Sequence, residues 1–179
     1  MKLCGKEYIP SSAFTFAIKN AKTSKTFAMI VTIQEKNIIS FPKEGNIWLC
    51  SEYKSPLEHE GLVYPSVRHA ILSCKTDDIE AKKKIIDTLL PADLKDLERK
   101  ITPVKKWSVL YVRSLLSFFT LLKFQRHLDL RKKLIETGAK KLLHELRGDQ
   151  ANFEINEISV AANDTGDILM ITRELVKEL

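Results

Sequence analysis

The sequence predicts an α+β fold, mostly helical, with a small N-terminal β-sheet. Three observations carry this. Before about residue 65, short β-branched and aromatic runs alternate with polar residues. After Pro65, apolar residues recur at helical spacing. One stretch, Trp107 to Phe124, is apolar on almost every side, as the central helix of a packed body is. A chain of 179 residues with 44% hydrophobic and 29% charged residues suits one folded domain and argues against disorder.

In order, Phe14-Thr15-Phe16-Ala17-Ile18 and residues 26–33 read as strands of a hairpin, making residues 1–37 an N-terminal β-hairpin extension. Ile38 to Phe41 is a third strand, ended by Pro42. Residues 43–64 read as loops with one or two short strands. Ser66 is a plausible N-cap, and Val67, Ala70, Ile71 and Cys74 form one buried stripe behind it. A second helix is expected from Asp77, with Glu80 as capping-box partner, ending near Pro91. A short helix, 92–100, follows. The long helix is expected over 104–126, with Arg113, Ser117 and Thr120 as a narrow polar stripe. Further helices are expected over 129–136 and 140–147, with Leu142, Leu143 and Leu146 inward. The last should run from 166 to 179, burying Ile168, Ile171, Leu175 and Leu179. Residues 38–179 form the main domain, with the extension packed on it as one body.

Composition excludes several classes. Cys4, Cys50 and Cys74 make no C-x-x-C spacing, and an odd count gives no disulfide framework. The four histidines show no H-x-x-x-H or H-E-x-x-H pattern, so no metal and no cofactor are expected. The first residues hold no apolar leader core. The apolar stretch contains Arg113 and Lys123 and lacks about 18 uninterrupted apolar residues. A cytoplasmic protein with no membrane partner is therefore expected. The net charge of +6 favours anionic partners: nucleotides, phosphorylated metabolites or nucleic acid. No aromatic-basic interleaving supports specific nucleic-acid binding.

Several segments stand in a telling order. Ser51-Glu52-Tyr53 leads to Gly61, then Tyr64-Pro65-Ser66-Val67-Arg68-His69-Ala70 and Lys75. Trp107 follows, then Lys123-Phe124 with His127, Leu130 and Arg131, then Thr137-Gly138. The chain closes with Asp149, Asn163-Asp164-Thr165-Gly166 and Arg173. This order resembles the NADAR (YbiA-like) family over about residues 38–179. The resemblance implies a YbiA-like fold and cleavage of an N-glycosidic bond to a ribose phosphate. Family roles include hydrolysis of reactive pyrimidine intermediates of riboflavin synthesis and removal of ADP-ribose from guanine. The implied partner is a phosphorylated ribosyl molecule or an ADP-ribosylated nucleobase.

Such hydrolysis needs a carboxylate near the developing sugar cation and a grip on phosphate. The family glutamate of the E-H pair corresponds to Arg68 here, an inversion of charge. Catalysis with an altered site and a catalytically inactive protein that binds a nucleotide or a protein partner both follow from that change. Arg68 and Lys75 share one helix face two turns apart, either as a phosphate clamp or as a solvated basic stripe. Glu52 stands at the family's L-S-N-F asparagine and is the candidate replacement acid, with Arg68 as partner; a surface ion pair is the plainer reading. Asp149 is the second candidate acid, or a turn residue after Gly148. Trp107 matches the family tryptophan and would stack on a base or anchor the core. Phe153 stands near a second family tryptophan, and Asn163 remains from the glycine-rich closing segment. His69 matches the family histidine and is either a structural residue or a substrate contact.

Overall fold

The computed structural model describes residues 37–145, 154–155, 158–159 and 163–179. The expected strands at 14–18 and 26–33, and the candidates Asp149 and Phe153, lie outside them.

The first described strand, β1 (Ile38–Phe41), falls where alternation placed it. A 3-10 turn at Ile47–Leu49 follows, and then the hairpin of β2 (Leu57–His59) and β3 (Leu62–Tyr64). Leu57 pairs with Tyr64 and His59 with Leu62, which leaves a two-residue turn. Both turn residues, Glu60 and Gly61, have positive φ (50° and 75°), as the twist of a tight hairpin requires. Leu57 and Tyr64 point into the core while Glu58 and Val63 stay outside.

Helix α1 (Val67–Ser73) begins behind Ser66. Helix α2 (Ile79–Asp87) is capped by Asp78, whose carboxylate accepts the Glu80 N–H at 2.9 Å. The cap lies one residue beyond the expected Asp77, so Glu80 is not the reciprocal partner of a capping box. Helix α3 (Pro91–Lys100) has proline in its first turn, where no N–H is needed. Helix α4 (Val109–Arg126) starts five residues later than expected, because Ser108 accepts the Tyr111 N–H and sets the cap. The segment before it is tied to the end of α1 by the Val104 N–H on the Lys75 carbonyl at 2.9 Å. Helix α5 (Leu128–Glu136) ends in Gly138 at φ 61°, a glycine stop.

The largest departure is at 140–147. A strand, β4 (Lys141–His144), replaces the expected helix and pairs with β1. Its leucines suit either period, and the open edge of β1 decides between them. Leu146 and Arg147 lie outside the described residues. The strands β5 (Glu154–Ile155) and β6 (Ile158–Ser159) form a short hairpin. Helix α6 (Asp164–Leu175) closes the fold, followed by a 3-10 turn.

Three apolar clusters hold these elements together. One joins α1, α4 and the β2–β3 hairpin through Val67, Ala70, Ile71, Val112, Leu116 and Phe119. A second gathers β1, β4, the end of α4, α5 and α6 around Phe41, Phe124, Leu134, Leu142 and Leu169. The third joins α1 to α2 and α3 through Leu72, Ile85, Leu94 and Ile101. Helix α6 buries Ile168, Leu169 and Thr172, whereas Ile171, Leu175 and Leu179 are more than half exposed. Of the expected stripe Ile168 alone is buried: the helix packs on α4 and β4 together, and two partners select a different stripe from one. Helix α4 is central along its C-terminal half, but Leu110 and Phe118 are exposed, and its polar stripe splits into exposed Arg113 and Ser117 and buried Thr120. Among the described residues no helix is long and apolar enough to cross a membrane.

Candidate functional site

Helix α1 has two working flanks, and its sequence spacing creates them. Val67, Ala70 and Ile71 face α4. Arg68, Leu72 and Lys75 follow at i, i+4 and i+7 and turn toward α3. The sequence reads Arg68 and Lys75 as a phosphate clamp or a solvated stripe. Lys75 is dry and Arg68 keeps only a small exposed part. The Lys75 ammonium is fully buried and donates to the Glu98 carbonyl at 2.6 Å. Desolvation lowers its pKa, against the attraction of Glu98. The guanidinium of Arg68, whose side chain is 13% exposed, donates to the buried carboxylate of Glu98. An internal carboxylate therefore sits where an anionic ligand was expected. Its second oxygen, Oε1, is buried and has no hydrogen-bond partner.

The N-cap of α1 is unusual in its chemistry. The Ser66 hydroxyl makes no capping bond. It meets His69 Nδ1 at 2.7 Å, and Nε2 meets the Thr88 carbonyl at 2.8 Å. A carbonyl accepts, so Nε2 carries the proton and Nδ1 accepts from serine. Both ring nitrogens are thus engaged within the fold. Burial lowers the His69 pKa and keeps the ring neutral.

A second constellation forms where the turn after β1 meets α4. Lys123 is 1% exposed and donates to the carbonyls of Trp48 (2.7 Å) and Cys50 (2.9 Å). It lies over the Tyr53 ring at 5.3 Å. Burial pulls its pKa down to about 8, although Cys50 and Glu52 both favour the charged form. Burial, then Glu52, pushes the Cys50 thiol up to about 11. Glu52 itself is exposed. Its negative charge is felt at Cys50, His69, Lys123 and His144. His144 stacks on Phe41 with centroids 4.8 Å apart. Sequence reasoning missed Glu98, Lys123 and His144 as site groups. A lysine inside an otherwise apolar helix was the available signal for Lys123.

Trp107 is half-buried, packs against the α1–α4 cluster and meets Tyr111 edge-on at 6.2 Å. Its Nε1–H is buried without a partner. The ring belongs to the α4 flank of α1, adjacent to the flank that carries Arg68. Asn163 bridges two elements instead of facing a ligand. Its Oδ1 accepts the His144 N–H at 3.0 Å, and its Nδ2 donates to Leu142 O at 3.3 Å and Asp167 Oδ1 at 3.0 Å. Gly166 allows this approach: a Cβ there would stand 2.3 Å from Leu142 O and 2.4 Å from Asn163 Oδ1. One hollow of about 490 Å³ lies between α2 and α3 and another of about 250 Å³ between α4 and α6. None of the candidate residues lines either. Among the described residues no group of three or more His, Cys, Asp or Glu side chains is placed to hold a metal ion.

Residues 35–177 match the NADAR domain, and the chain belongs to the NADAR family. Its members are N-glycosidase-like. The fold is similar to the NMR structure of the E. coli protein YbiA, with a TM-score of 0.65 and 22% identity, over 79% of this chain and 86% of that one. No curated protein matches the chain.

Proposed function

We propose that this chain binds a ribose phosphate or ADP-ribose derivative within residues 38–179 and cleaves its N-glycosidic bond. The observation that supports this is Glu52, an exposed carboxylate whose charge reaches Lys123, His69 and His144. A solvent-facing acid offers negative charge to a developing sugar cation. Family membership supplies the reaction class.

The test is release of free base from a pyrimidine ribotide and from ADP-ribosylated guanosine, by wild type and Glu52→Gln. The Gln variant should lose turnover about 100-fold or more. Unchanged turnover removes Glu52 from the role.

A second reading is a binding protein without turnover. The Arg68–Glu98 pair favours it, because the family's glutamate position now holds a cation already engaged by an internal acid. Wild type that gains thermal stability with ribose 5-phosphate yet cleaves nothing would select this reading.

A further inference from the structure

We infer that Glu98 is a ligand contact, the acceptor for a hydroxyl of the bound sugar, with Arg68 holding it in place. The inference rests on the reading above, that the chain takes a ribose phosphate.

Three observations lead to it. Glu98 is 3% exposed, yet one of its two carboxylate oxygens has no partner. Buried polar atoms in folded proteins are almost always bonded, so a buried orphan acceptor marks a place where a donor belongs. The orphan is also ionic in kind, and leaving such an oxygen unserved costs more than leaving a neutral one. Second, the opposite oxygen is fixed by the Arg68 guanidinium, and the backbone of the same residue is fixed by Lys75. The carboxylate therefore cannot swing away to find solvent. Third, the Arg68 side chain keeps 13% exposure, so the pair reaches the surface on the Arg68 side. A sugar hydroxyl entering there meets a held acceptor.

The chemistry also sets what this contact is not. A carboxylate at this place repels phosphate, so the phosphate end of the ligand lies away from Glu98. Inorganic phosphate alone should be indifferent to it.

The experiment is calorimetric titration of ribose 5-phosphate and, separately, inorganic phosphate into wild type, Glu98→Gln, and the charge swap Arg68→Glu/Glu98→Arg. Glu98→Gln should bind ribose 5-phosphate at least tenfold more weakly and phosphate unchanged. The swap keeps both the ion pair and a carboxylate at this place, and should bind the sugar phosphate within about threefold of wild type. It also decides the matter if Glu98→Gln fails to fold: a folded swap that has lost the sugar phosphate overturns the inference. Glu98→Gln binding as tightly as wild type, or more tightly because Arg68 is released to phosphate, overturns it too while the proposed function stands. Wild type that does not bind ribose 5-phosphate overturns both.

Discussion

Lys123 ties the site to a measurable pH dependence. Its ammonium is buried against two carbonyls, and burial brings its pKa from 10.5 down to about 8. Between those values the unfolded chain carries a proton that the folded chain has released. Stability therefore rises with pH in that window and is lost again as pH falls through 8. Each unit is worth about 1.4 kcal/mol, and the whole interval roughly 3 kcal/mol. Cys50 acts in the opposite sense. Its thiol is raised from 9.0 to about 11, so above pH 9 the folded chain keeps a proton that the unfolded chain loses. Of this pair only Lys123 acts between pH 8 and 9, and the two slopes oppose each other above that. The assay is urea unfolding from pH 7 to 10 on wild type, Lys123→Met and Cys50→Ala. Wild-type stability relative to Lys123→Met should climb by about 1 kcal/mol from pH 8 to 9. In Cys50→Ala the climb should continue toward pH 10. Parallel wild-type and Lys123→Met curves between pH 8 and 9 would refute the reasoning.

His69 gives a dependence at the acid end: its lowered pKa means stability held above pH 6.5 is lost as pH falls through the folded value. Melting temperatures from pH 5 to 7 should show that loss in wild type and not in His69→Phe. Gly166→Ala should cost about 2 kcal/mol or more, since the new methyl meets a backbone carbonyl that cannot retreat; an unchanged melting temperature would contradict the packing of α6 on β4. Arg173, 5% exposed, donates to Thr137 Oγ1 at 2.8 Å and Lys140 O at 2.9 Å. Arg173→Met should cost about 1–3 kcal/mol of unfolding free energy, read from a lower denaturant midpoint, by stranding those two acceptors.

Short-range pattern alone determined much of this protein. The stripe of Val67, Ala70 and Ile71 fixed a helix and its buried face. Proline at 91 and glycine at 138 fixed a start and a stop. The order of segments from Ser51 to Arg173 placed the chain in its family. These features need only neighbours within a few residues, and side chains three or four apart on a helix report directly on one face. Tertiary structure decided the rest. Lys141–His144 became a strand because β1, about a hundred residues earlier, offers an edge. Ile171 and Leu175 lost their place in the core because α6 packs on two partners at once. Arg68 found Glu98, 30 residues on, and Lys123 found Trp48, 75 residues back. No local period encodes which distant carboxylate or carbonyl will meet a buried cation. That choice belongs to the packing of helices, which brings remote groups into the same dry space and leaves each charge to be met there or not at all.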